Sequence, residues 1–126
     1  PVPGEWSAFH VLRHMRDAAL VYSIRFRWMA FNADPFLPDY DEDRWVALAA
    51  DTAADLPALL GEFAASRSGL VRLLTRLSPE AWGSTGRHEV LGTVVLEPYV
   101  RHQLKHEELH LEQLWAALAL AAASSR

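Results

Sequence analysis

His106 and His110, in the run Arg101-His-Gln-Leu-Lys-His-Glu-Glu-Leu-His110, stand one helical turn apart where a helix would ordinarily bury leucine. At ~100° per residue a step of four leaves two side chains about 40° apart on one face, close enough to share one metal ion. The direction of that face matters more than the spacing. Arg101, Lys105, Glu108 and Glu112 mark the polar side of residues 93 to 121. The opposite, inward direction falls about 50° from His106 on the wheel, close to His110 and beside Tyr99, Leu114 and Ala117. His102 falls at the edge.

A metal centre that keeps a position open for substrate usually takes three protein ligands, so the pair needs a third. The first long helix offers His14, which lies with Ala18, Val21 and Arg25 opposite Arg13, Arg16, Ser23 and Arg27. His10 is turned about 40° from His14 toward the polar edge. Asp17, three residues on, could accept the second N–H of a ligand imidazole and so fix its tautomer. Glu107, about 50° off the inward direction, is a candidate general base. Arg25 is an inward cation with two readings: an ion pair with Glu107, or a bidentate grip on an anionic substrate. The plain alternative for each inward histidine is a core imidazole bonded to a carbonyl. Six histidines in 126 residues also make pairs such as His10–His14 and His102–His106 by chance. His88 reads as a loop residue, solvated or pinning the loop. Trp6, Trp28, Trp45, Trp82 and Trp115 read as core and rim packing.

Composition narrows the chemistry. A chain of 126 residues, 51% apolar and 22% charged, is one globular domain. A formal charge of −4 gives no grip on phosphate backbones, so nucleic acid is not expected as a partner. There is no cysteine, so a metal must be held by imidazole, carboxylate or water, and any nucleophilic thiol must come from a separate molecule. No run reaches the roughly 18 apolar residues of a membrane span, and the N-terminus lacks a basic-then-apolar leader. The chain reads as cytoplasmic.

The elements that must position these residues follow from apolar spacing. Pro1 to Glu5 is an extended lead-in, and Trp6 to about Met29 is a long amphipathic helix. The proline-punctuated acidic stretch from Phe31 to Asp43 is a loop, solvated or bounding a pocket mouth. A short helix over Asp43 to Ala49 precedes a longer one from about Ala53 to Leu77. Ser78-Pro79-Glu80 starts a single helical turn that Gly83 ends. Gly83 to Gly92 is a polar connection, and Thr93 caps a last helix that runs into a frayed Ser124-Ser125-Arg126 tail. Three long helices with short ones between them make an all-α bundle, with a fourth member supplied by another chain or an upstream segment.

Taken in order, these landmarks resemble the DinB/YfiT-like superfamily. The match rests on Trp6-Ser-Ala-Phe-His-Val-Leu-Arg-His14-Met-Arg-Asp17, the Asn32 to Trp45 loop, Arg67, Leu77-Ser-Pro-Glu-Ala-Trp82, His88 with Gly92, and His106-Glu-Glu-Leu-His110-Leu-Glu-Gln113. The resemblance implies a four-helix type of bundle whose first helix is missing from this chain. It also implies His14, His106 and His110 as ligands of a divalent ion (zinc, nickel or iron), with Gln113 following the last ligand. Thiol-dependent S-transferase or hydrolase chemistry on a small-molecule substrate is the implied activity, with a low-molecular-weight thiol as possible co-substrate and a homodimer as the implied assembly. Glu107 and Arg25 would assist. The contrasting expectation is a stress-response binding module whose site is vestigial or structural.

Overall fold

The computed structural model describes residues 7–48, 52 and 55–124. The lead-in, Trp6, Ala49, Ala53 and the tail at 125–126 lie outside the described residues. The elements run α1 (Ala8–Phe31), β1 (Phe36–Leu37), α2 (Glu42–Leu48), α3 (Leu56–Leu74), a 3₁₀ turn (Ala81–Gly83), β2 (Thr85–His88), β3 (Gly92–Val95) and α4 (Leu96–Ser124). The all-α reading holds, with three long helices and one short one.

Helix α1 begins where Ser7 Oγ accepts the His10 N–H, satisfying one of the orphan donors of the first turn. It is the central helix, packed against both α3 and α4. The Arg16 and Arg27 side, expected to face solvent, instead lies along α3: Arg16 Nη1 donates to Glu62 Oε2 at 2.6 Å, and Gly69 leaves room for the Arg27 guanidinium. A helix with two neighbours has two covered sides, which a single-face reading does not anticipate. The other side of α1 meets α4 through Tyr22, Phe26 and Tyr99, whose rings sit 5.4 to 5.7 Å apart. Phe26, Met29, Leu37, Leu70, Leu96, Tyr99 and Val100 form the core. Each large side chain sealed there contributes roughly 1.5–3 kcal/mol of apolar burial.

Two local expectations are corrected. The stretch read as a polar connection carries β2, the middle strand of a three-stranded sheet in the order β1-β2-β3 whose first strand lies in the acidic loop. β1 pairs parallel with β2, aligning Leu37 with His88, and β2 pairs antiparallel with β3. Gly92, at φ +75°, takes the left-handed conformation that the return of the hairpin needs. Gly86 lies so close to Leu37 and Met29 that a Cβ there would stand 2.8 Å from Leu37 Cδ1. Thr93, expected to cap the last helix, is inside β3, and α4 starts only at Leu96, whose N–H donates to Ser84 O. The single turn before the sheet is present, with Ser78 Oγ accepting the Ala81 N–H.

Helix α4 presents a seven-residue seam to the bundle. Leu96, Val100 and Gln103 are buried, and Glu107, His110, Leu114 and Ala117 are half-buried at the same 4-3 spacing. Among the described residues no helix is long and apolar enough to cross a membrane.

Candidate metal centre

His14 and His110 meet although 96 positions separate them: their Nε2 atoms stand 2.9 Å apart, with ring centres at 4.4 Å. The reason is local on each side. His14 is a buried residue one side of which faces α4, and His110 lies on the α4 seam opposite it. His110 Nδ1 lies 2.7 Å from Gln113 Oε1, and an amide oxygen only accepts, so the Nδ1 carries the proton. The Nε2 of His110 is therefore a lone pair directed at His14. His14 Nε2–H donates to it, placing a single proton between two nitrogens.

His106 stands one turn before His110 on α4, with ring centres 5.8 Å apart, and lines the same cavity. Its ring is exposed and stacks edge-on with His102 at 4.8 Å. Among the described residues, no three His, Asp or Glu groups already stand arranged around one point as ligands. His106 lies beside the His14–His110 contact without joining it.

The electrostatics disfavour the charged form of His14 and His106. His14 is lowered from 6.5 to about 4, first by burial and then by the adjoining His110 and His106. His106 is lowered by desolvation, with His102 and His110 adding to it. Neutral imidazole is the form that binds a metal. The donor set also suits a divalent ion. Two imidazole nitrogens already converge, with a proton between them where a cation would stand.

The remaining site residues fall as follows. Glu42, the first residue of α2, brings Oε2 to 3.6 Å from His14 Nε2. Asp41 Oδ1 caps α2 by accepting the Arg44 N–H at 3.0 Å, which fixes Glu42 over the histidines. Desolvation, followed by Asp43, raises the Glu42 carboxyl above its ordinary range, with His110 opposing. Glu107 is turned away: it ion-pairs with Arg67 of α3 and is absent from the cavity wall. The Arg25–Glu107 pair is thus replaced by two separate arrangements. Arg25 is buried and bonds Tyr99 and the Pro38 carbonyl. Asp17 accepts from Arg16 Nε at 2.8 Å. His10 remains at the helix start and His102 at the exposed edge, as expected.

A cavity of about 680 Å³ lies between α1, the acidic loop and α4. His14, His106, His110 and Arg25 are brought together along it; Glu107 is not. Sequence reasoning missed Glu42, Tyr22, Tyr40 and Gln103. The acidic loop lines the cavity through Asp39, Asp41 and Glu42. His88 ends β2 and is buried. Its Nδ1 accepts the N–H groups of Val90 and Leu91 at 3.0 and 3.1 Å, pinning the hairpin turn.

The sequence matches the family model of the DinB superfamily over residues 1–114. It is similar to a protein of Oceanobacillus iheyensis whose name assigns it provisionally to the metal-dependent hydrolases, at 24% identity over 116 residues. That alignment takes in 92% of this chain and 66% of the curated relative, so the chain spans just under two thirds of its length. Its fold is similar to that of YfiT from Bacillus subtilis, described as a probable metal-dependent hydrolase with an unusual four-helix bundle topology. The two superpose with a TM-score of 0.86 at 21% identity, over 94% of this chain and 69% of that one.

Proposed function

The chain belongs to the DinB superfamily, and from that premise we propose that it is a metal-dependent hydrolase of small molecules in which His14, His106 and His110 hold the ion. The observation that carries the reading is the His14–His110 contact, in which Gln113 sets the His110 tautomer so that its lone pair faces the site. A bound divalent ion supplies Lewis-acid polarisation and lowers the pKa of water or of a thiol. Zinc, nickel and iron(II) all suit three imidazoles.

The chain's own residues divide the rest of the work. Glu42, with its carboxyl raised by desolvation, is placed to take the proton of the attacking molecule. Tyr22 and Tyr40 are held well above the ordinary phenol range, mainly by burial, and remain O–H donors along the cavity wall. Glu107 has a structural part in this scheme, tying α4 to α3 through Arg67. With no cysteine in the sequence, any thiol nucleophile is a separate molecule. Hydrolysis is the reading preferred here because it needs no second ligand.

The test uses protein purified without a histidine tag, stripped by chelator dialysis and reloaded with zinc, nickel or iron(II). Element-resolved analysis should find one ion per chain in wild type and a loss in His110→Ala. An ester panel assayed with and without glutathione separates hydrolysis from thiol transfer. Glu42→Gln should retain metal and lose on the order of 10²–10⁴ in rate, whereas Glu107→Gln should keep both. Equal, negligible metal in wild type and His110→Ala would sink the proposal.

A further inference from the structure

Arg25 is 3% exposed, yet among the described residues both its hydrogen-bond partners are neutral oxygens: Tyr99 Oη at 3.1 Å and the Pro38 carbonyl at 2.5 Å. A buried guanidinium is ordinarily matched by a carboxylate. Here the matching negative charge is absent from its contacts, and two bonds leave three of five N–H donors on a side chain that lines the cavity. The rings of Tyr22 and Tyr40 flank it, their centroids 5.4 and 5.8 Å from Cζ, and hold its plane.

His88 supplies a second donor. Both backbone N–H groups of its turn point at Nδ1, so the ring proton sits on Nε2. Burial, followed by the neighbouring Arg25, lowers its basicity, with Asp39 and Glu89 opposing. Arg25 and His88 thus offer one formal positive charge and a set of N–H donors at one end of the cavity. Asp39, Asp41, Glu42 and Glu89 line the same cavity and repel a multiply charged anion.

Position along α1 separates the two ends of the cavity. His14 and Arg25 are eleven residues apart, about three turns, on the same face and about 16 Å apart along the axis, with Ala18 and Tyr22 between them. We infer that Arg25 and the Nε2–H of His88 form a carboxylate-binding subsite, and that the substrate is an elongated monocarboxylate anchored there with its reacting group at the histidine end. This deepens the hydrolase reading and rests on it for the reaction, although the subsite itself does not require the metal.

Binding is therefore measured on chelator-dialysed protein by NMR, following the Arg25 Nε–H and His88 ring nitrogens, with sodium hexanoate, hexanamide and inorganic phosphate as probes. Hexanoate should move both signals and bind at least about tenfold tighter than hexanamide or phosphate, and folded Arg25→Lys should lose at least about tenfold. Hexanoate and hexanamide binding alike, tighter binding of phosphate, or full hexanoate affinity in Arg25→Lys would each overturn the subsite. If Arg25→Lys does not fold, the acid-to-amide comparison on wild type decides. Protein that binds hexanoate but never takes up zinc retains the subsite and loses only the metal centre; the reverse result does the opposite.

Discussion

Metal-free protein should lose stability in mild acid because of His14. An unfolded chain protonates this histidine once pH falls below 6.5, whereas the folded protein resists until about 4. Between those values the unfolded state holds the extra proton, so stability falls as pH falls; above 6.5 the histidine adds no slope. The gap corresponds to about 3 kcal/mol, a large part of a small domain's stability, and the loss levels off near pH 4. Other carboxylates and histidines titrate too, so the measurement is a difference. Urea unfolding of wild type and His14→Leu, both dialysed against chelator, would be followed by circular dichroism at pH 7, 6, 5 and 4. Leucine has similar bulk and no proton to bind. Wild type should lose about 3 kcal/mol relative to the variant across that range. A difference between the two proteins that stays constant from pH 7 to 4 would refute the burial argument.

Three further outcomes are expected. Gly86→Ala should destabilise by about 1–3 kcal/mol, because its Cβ would press on Leu37 and Met29, while Gly61→Ala, facing open space in α3, should stabilise by about 0.5–1 kcal/mol; denaturant midpoints moving in the same direction would contradict the packing. Gln113→Leu should weaken metal binding by about 10–100-fold by removing the acceptor of His110 Nδ1–H, and Gln113→Glu should not; competition against a chromophoric chelator reads both. His106→Ala should loosen the ion at least about tenfold although its ring is exposed, and unchanged affinity would leave His106 outside the ligand set.

Much of the fold was readable because helical periodicity survives wherever one face is covered. Leu96, Val100 and Gln103 continue the seam that pointed to His110, and the wheel direction drawn from Arg101, Lys105, Glu108 and Glu112 agrees with it. The sheet was unreadable for the opposite reason. Thr85-Gly-Arg-His88 has no apolar alternation, and it is a strand because Leu37, far away in sequence, supplies a partner edge. Glu107 shows the limit of wheel arguments. Its angle, about 50° off the inward direction, left it a candidate, but α3 offers Arg67 at that level, and the nearer charge decided its orientation. Glu42 gave no signal among its acidic neighbours. Only the cap formed by Asp41 distinguishes it, and that is visible in three dimensions alone.

The meeting of His14 with His110 also sets a schedule. A ribosome adding about 5–20 residues per second needs about 5–20 s to travel from one to the other. Through that interval the early imidazole has no companion from the closing helix. Whatever the two imidazoles do together waits until α4 has emerged and folded back against α1.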